Sequence, residues 1–182
     1  MFRTLIRLAT VVFACLILAQ CRPADSAKKP DAEIIRFFRQ MVSIDKRLRK
    51  PILARTTVLG PLADDKPVNR AKVKTVFAEY ERLHEQALLE VKSLKVPTSS
   101  KSARAYRDAF ARYLAVVTPW IKAVDAKVLP LIPPNGHVSQ SAKKRIQEAH
   151  ELPLKEEDTD WAAIRARDAF CEEYGLEFPL GW

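Results

Sequence analysis

The chain has 182 residues, of which 29% are charged and 48% hydrophobic, a composition typical of one globular domain rather than a disordered segment. Its formal net charge is +9, and it holds three cysteines and only four glycines, no two of them close together. This spacing excludes a Rossmann fingerprint or a P-loop, which need clustered glycines where the backbone meets phosphate, and three cysteines exclude a disulfide-rich scaffold.

Residues 1–20 have the pattern of an export signal. Arg3 and Arg7 supply positive charge, and residues 8–19 form an apolar run. A run of this length fits the hydrophobic region of a signal peptide and is shorter than the ~20 residues that a membrane-spanning helix needs. Removal of the segment lowers the formal net charge from +9 to +7.

The end of this segment, Leu18-Ala19-Gln20-Cys21, resembles the lipobox of bacterial lipoprotein precursors. Gln20 stands where that family has Gly, Ala or Ser. The resemblance implies that the signal is cut before Cys21, that this cysteine is lipidated, and that residues 21–30 form a polar tether. Ordinary signal cleavage after Ser26 is the alternative.

The same resemblance implies a location. Two or three acyl chains attach a protein stably to a membrane, because each buried methylene contributes ~0.8 kcal/mol. Lipoproteins with Asp after the cysteine tend to stay in the inner membrane, and this chain has Arg22 there. We therefore expect a lipid-anchored protein of the bacterial cell envelope, in the outer membrane and facing the periplasm. A soluble periplasmic or secreted protein is the alternative.

From residue 31 onward the apolar residues recur with helical spacing. The first helix is predicted to start at an Asp31 cap and to be kinked or interrupted near its end by Pro51, before a linker over 60–67. Its predicted stripe is Ile34, Phe38, Met41, Leu48 and Ile52, with Ile44 beside it.

Two longer helices are predicted next, joined by the short segment 96–102 and therefore antiparallel. Pro119 lies inside the second of them and is expected to kink it. The apolar stripe of the first comprises Val73, Val76, Phe77, Tyr80, Leu83, Ala87, Val91 and Leu94. That of the second comprises Ala103, Tyr106, Phe110, Tyr113, Val117, Ile121, Val124 and Val128.

A short polar helix is predicted over residues 139–150. After an acidic loop over 153–160, a last helix is expected to be capped by Asp158 or Thr159 and to end at Tyr174, with Gly175 just beyond it. The sequence thus predicts an all-α, up-and-down helical bundle of four main helices plus one short helix, over residues 31–182.

Glu81 and His84 form a Glu-x-x-His pair, which places a carboxylate and an imidazole within one helical turn. Ferritin-like bundles use that spacing twice, together with two further glutamates, to hold a metal pair. Neither His137 nor His150 has a Glu three residues before it, so a structural His84 is the preferred interpretation, and no metal or cofactor is predicted.

No catalytic motif is present. The serines at helix starts serve as caps, and no nucleophile motif or zinc motif occurs in a suitable context. After signal removal Cys171 is the one cysteine beyond Cys21, and a lone thiol of this kind is more often a buried small side chain than a nucleophile. The chain is therefore predicted not to be an enzyme.

Basic residues cluster at 46–50 and at 143–145. An exported protein meets little nucleic acid and no aromatic residues alternate with these charges, so no nucleic-acid partner is predicted. Anionic lipid headgroups or ordinary solvated helix faces explain the clusters. The apolar residues of the tail 176–182 either fold back onto the bundle or dock into another envelope protein.

Together these features predict a lipid-anchored envelope protein whose bundle acts as a non-catalytic binding or adaptor module for another envelope protein. An inhibitor or immunity protein that shields the envelope from a secreted toxin is one form of this role. The alternative is a carrier of a small ligand or metal that uses the bundle interior around His84, Tyr80 and Tyr106.

Overall fold

The structure, a computed structural model, describes residues 27–151 and 158–179. The predicted signal peptide and Cys21 lie outside these residues. Within the two ranges the chain forms five α-helices and no strand. The helices are α1 (Ala32–Val58), α2 (Arg70–Ser93), α3 (Lys101–Val128), α4 (Gln140–His150) and α5 (Thr159–Tyr174). Short 3₁₀ helices follow α1 at Gly60–Asp64 and α3 at Leu129–Leu131.

The four long helices α1, α2, α3 and α5 form an up-and-down bundle, and α4 is the short fifth helix, so the predicted all-α architecture is confirmed. Helix α3 packs against both α2 and α5, and α1 packs against α2. The end of α2 and the start of α3 share a core cluster with the start of α1 and the end of α5. No helix in the described part of the chain is long and apolar enough to span a membrane.

Side-chain caps fix the starts of four of the five described helices; at the start of α5 Asp158 is the N-cap residue, as predicted, but its side chain makes no capping hydrogen bond. Asp31 and Ser100, both expected as caps from the sequence, accept hydrogen bonds from the backbone N–H groups of Ile34 at 2.9 Å and Ala103 at 3.0 Å. Asn69 and Ser139 cap α2 and α4 in the same way. These bonds satisfy N–H groups that have no partner within the helix.

Helix α5 ends as the sequence predicts. Gly175 adopts a left-handed conformation with φ +59°, and the N–H of Leu176 donates to the carbonyl of Cys171 at 2.9 Å. This is the Schellman arrangement, for which glycine is favoured because it carries no Cβ.

Helix α1 differs from the sequence prediction in two respects. Phe37, rather than Phe38, is fully buried, and Ile44 belongs to the buried stripe, whereas Ile52 is exposed. Pro51 does not interrupt the helix, which continues to Val58. The residues after Pro51 remain helical because the end of α1 is packed against the start of α2, where Val58 joins the same cluster as Val73 and Phe77.

The core has two parts. One, at the end of the bundle that includes the start of α1 and the end of α5, is rich in aromatic residues from α1, α3 and α5. The other is largely aliphatic and lies where α4 and the 3₁₀ helix Leu129–Leu131 cover the start of α2 and the end of α3.

Candidate functional site

A cleft of about 1030 Å³ lies between α1, α2 and the C-terminal segment; we call it the α1–α2 groove. Its α1 side chains recur every three or four residues from Phe38 to Ala54, so they share one face of the helix. Sixteen helical steps of 1.5 Å make this face about 24 Å long. The apolar lining comprises Phe38, Val42, Pro51, Ala54, Val76, Leu83 and Pro179.

The polar lining of the groove carries an excess of positive charge. Arg39, Lys46 and Lys50 are exposed and have no ion-pair partner within residues 27–151 and 158–179. Two acids also line the groove: Glu79, which is paired with Arg82 on its own helix at 2.8 Å, and Glu177 of the C-terminal segment, which is exposed. The unpaired basic side chains therefore outnumber the acidic ones beside them.

The other cations of this basic cluster are already paired. Arg47 forms an ion pair with Glu90 of α2, which lowers the pKa of that carboxyl and raises the pKa of the guanidinium. Arg49 pairs with Asp45 one turn earlier on α1, at 2.6 Å. Within the cluster at 46–50, Arg47 and Arg49 therefore form ion pairs with other residues of the bundle, whereas Lys46 and Lys50 lie along the rim of the groove.

The C-terminal segment closes one end of the groove. The Phe178 ring lies 6.1 Å from that of Phe38, and the guanidinium groups of Arg49 and Arg167 lie over it at 5.8 Å and 4.8 Å. Leu176 packs against the aromatic core. Residues 176–179 thus fold back onto the bundle, whereas residues 180–182 lie outside the described part of the chain.

A second feature is a buried polar layer between the two parts of the core. Arg55 of α1 forms an ion pair with Asp125 of α3, and its guanidinium lies 5.0 Å from the ring of Phe77 and 5.4 Å from that of Tyr80. Asp125 is 4% exposed, and burial raises its pKa although Arg55 opposes the shift. Among the residues that the structure describes, Arg55 Nε and Asp125 Oδ2 have no hydrogen-bond partner.

Two histidines flank this layer. His84 Nδ1–H donates to the carbonyl of Tyr80 at 2.9 Å, and His150 Nδ1–H donates to that of Ile146 at 2.8 Å. A carbonyl only accepts, so Nδ1 carries the proton in both rings. Burial lowers the pKa of each histidine, which favours the neutral ring at neutral pH.

The residues proposed for a metal or ligand are only partly brought together. The Tyr80 and His84 rings meet edge to face with centroids 4.2 Å apart, and Glu81 lies at the edge of the layer, where burial raises its pKa. Tyr106 lies instead in the aromatic core against Phe37, about 28 Å along α3 from Asp125. Across residues 27–151 and 158–179, no three histidine, cysteine or carboxylate side chains form a group that could hold a metal ion.

Cys171 is buried in the aromatic core, as the sequence predicts. Burial raises the pKa of its thiol to about 11, so the reactive thiolate is scarce at neutral pH. The thiol therefore serves as a small packing side chain.

Sequence reasoning missed both the groove and the Arg55–Asp125 pair. One signal was available for the pair, because Asp125 falls beside Ile121, Val124 and Val128 on the apolar face of α3. No family model, curated protein or solved structure matches this chain.

Proposed function

We propose that this chain is a lipid-anchored cell-envelope protein whose helical bundle is a non-catalytic binding module. The α1–α2 groove is its binding site, and an acidic, amphipathic helix of a partner envelope protein is the occupant. The observation that carries this proposal is the combination of an apolar floor with a rim of basic side chains that have no partner of their own.

The shape of the groove favours a helix. Its walls are two packed helices, and a third helix packs against such a pair by placing an apolar stripe between them. A length of about 24 Å accommodates roughly 16 helical residues, or four turns. Phe38, Val42 and Leu83 would meet side chains spaced three and four residues apart on the partner.

Charge specifies the partner further. Arg39, Lys46 and Lys50 lie along one rim, so carboxylates flanking the partner's apolar stripe would meet opposite charges. Rim charges of this kind mainly raise the association rate and exclude partners of like charge. An inhibitor or immunity protein that covers an acidic helix of a secreted toxin would use the groove in this way.

The anchor is the second part of the proposal. Lipidation of Cys21 would hold the bundle at a membrane surface, and Arg22 favours the outer membrane, facing the periplasm. We expect the wild-type protein to incorporate labelled fatty acid and to fractionate with membranes. Cys21→Ser should abolish the label and release the protein, and an unlabelled wild type would contradict the anchor.

Site-specific photo-crosslinking tests the groove. A photoreactive amino acid replaces Val42 on the groove floor or, as a control, Leu89, which is 69% exposed on α2 and does not line the groove. We expect a protein adduct at Val42 alone, with the crosslink in an acidic, amphipathic helical peptide.

Charge reversal sharpens this experiment. Lys46→Glu with Lys50→Glu should reduce the adduct about tenfold or more, whereas Lys144→Glu with Arg145→Glu, an equal change of charge on α4, should leave it intact. Equal adducts at Val42 and Leu89, or no response to the first pair of substitutions, would contradict the proposal.

A carrier of a small polar ligand is the second candidate. The observation in its favour is that Arg55 Nε and Asp125 Oδ2 are buried without partners beside Tyr80 and His84. A bound molecule with one acceptor and one donor would satisfy both atoms. His84→Leu should then remove a small-molecule mass from the purified protein, while the binding module loses at most stability.

A further inference from the structure

The tether joins the bundle at one end. The backbone N–H of Lys28 donates to the carbonyl of Glu173 at 2.8 Å, and its ammonium pairs with the Glu173 carboxylate at 2.6 Å. Ser102, in the first turn of α3, also donates to that carboxylate, and these contacts lower its pKa. Residue 28, the last turn of α5 and the first turn of α3 therefore meet at what we call the tether end.

One segment of the tether end is basic and holds no acid; the acids of this end lie on other segments, at Asp31 and Glu33 at the start of α1 and at Glu172 and Glu173 at the end of α5. Residues 91–107 contain five Lys or Arg side chains and no Asp or Glu. They are Lys92, Lys95, Lys101, Arg104 and Arg107, of which the first four are exposed and unpaired within the described ranges, and the fifth is paired with Asp108. Because this segment comprises the end of α2, the join and the start of α3, its charges surround one end of the bundle.

The opposite end, which we call the distal end, has a basic cluster that is accompanied by acids. Its basic cluster lies on α4, where Lys143 pairs with Asp65 and Lys144 lies 3.9 Å from Glu148. Acidic side chains thus accompany two of the three charges of that cluster.

Tether length sets which end is near the anchor. Six Cα–Cα steps join Cys21 to Ala27, and a fully extended chain spans at most about 3.5 Å per step, or about 21 Å in total. Helix α3, with 28 residues, is about 42 Å long. A lipid on Cys21 therefore keeps the tether end within about 21 Å of the bilayer, whereas the distal end, about 42 Å further along α3, can lie about 63 Å away.

We propose that the tether end is a membrane-contact surface whose basic residues, Lys92 to Arg104, bind anionic phospholipid headgroups. Contact at the tether end orients the helices roughly perpendicular to the bilayer, so that α1 and the groove extend away from it. The proposal rests on the lipid anchor proposed above for the orientation, but headgroup binding by these residues is testable without the lipid. Each basic residue near an anionic surface strengthens binding about fivefold.

Vesicle sedimentation tests this surface. The exported chain carrying Cys21→Ser is mixed with vesicles of phosphatidylglycerol and phosphatidylcholine, or of phosphatidylcholine alone, at low ionic strength. We expect binding to the anionic vesicles only. Lys95→Glu with Lys101→Glu should weaken it at least about 25-fold, whereas the control Lys144→Glu with Arg145→Glu should weaken it less than about threefold. Circular dichroism verifies that both variants keep the helical content of the wild type.

Each result decides one point. Equal weakening by the two variant pairs would show attraction by net charge alone and overturn the proposal, as would binding to neutral vesicles or no binding to anionic ones. The fatty-acid label separates the anchor from this surface. If the wild type takes up no fatty acid but the vesicle result is as expected, the lipid anchor is wrong and the headgroup site stands. If the wild type is labelled but no vesicles are bound, the anchor stands and the headgroup site is wrong.

Discussion

The two parts of the core achieve burial by different means. Near the tether end, the Phe170 ring lies 5.5 Å from that of Phe37, 6.0 Å from that of Tyr106 and 5.3 Å from that of Tyr174, so long helices close on one another through large rings. Near the distal end the core is mainly valine and isoleucine, and α4 and a 3₁₀ helix complete it. The comparison shows that long helices and the C-terminal segment that folds back on them cover the first part, whereas the second depends on short helices.

The boundary between the two parts is polar. Arg55 and Asp125 are 70 residues apart in sequence and meet where aromatic packing gives way to aliphatic packing. A buried ion pair contributes little net stability, because desolvation opposes the Coulombic attraction. Removal of only one of the two charges is nevertheless costly, because the other charge stays buried without a partner. The boundary can therefore be tested separately from the two apolar parts of the core.

The largest expected effect is on the aromatic part. Phe170→Ala removes a fully buried ring that contacts four others, and should lower the free energy of unfolding by about 4 kcal/mol. Urea denaturation followed by circular dichroism measures this change. Leu89→Ala on α2 is the control, since Leu89 is 69% exposed, and should cost less than about 1 kcal/mol. A loss below about 2 kcal/mol for Phe170→Ala would show that this part is not the main source of stability.

The next effect is at the boundary. Asp125→Ala leaves the Arg55 guanidinium buried without its partner and should lower the free energy of unfolding by about 3 kcal/mol. The double variant Arg55→Met with Asp125→Leu removes both charges and should unfold within about 1 kcal/mol of the wild type. Thermal and urea unfolding of the two variants measure the difference. Equal destabilisation of both would mean that the ion pair itself, rather than the stranded charge, is what stability requires.

The smallest effect depends on pH. Because burial lowers the folded-state pKa of His84 and His150, the unfolded chain binds more protons as the pH falls below about 6.5, and the protein should lose stability there. The slope is at most about 1.4 kcal/mol per pH unit for each histidine. Asp125 acts in the opposite sense at lower pH, since a raised folded-state pKa favours proton uptake by the folded protein.

Unfolding temperatures measured from pH 7.5 to 5.5 check this prediction. His84→Leu should reduce the decline in unfolding temperature on acidification, whereas His137→Leu, at an exposed loop position, should leave the decline unchanged. An identical decline in His84→Leu and the wild type would show that His84 does not cause it.

The sequence predicts most of the fold because its signals are local. Caps such as Asp31 and Ser100, and the stop at Gly175, depend on neighbours within four residues. The choice between Phe37 and Phe38 for the core could not be made from spacing, because both fit a helical stripe and both rings lie near Phe170 in the fold. Phe37 also meets Tyr106 of α3, whereas Phe38 lines the groove beside Phe178.

The candidate site was less accessible to sequence reasoning. The groove arises only where α1, α2 and the C-terminal segment meet. The basic runs at 46–50 and 143–145 stand out in the sequence, yet several of their charges are paired in the fold. The segment 91–107 is less dense in charge, and its importance comes from its position beside the tether and from the absence of acids.

The central claim is that the groove binds a partner protein, and native mass spectrometry of the protein gently extracted from its own envelope tests it most directly. We predict a protein-sized excess mass beyond the acyl chains in the wild type and in Lys144→Glu with Arg145→Glu. It should be absent from Lys46→Glu with Lys50→Glu. An excess mass of small-molecule size that disappears in His84→Leu, or a protein-sized mass that survives reversal of the groove charges, would contradict the account.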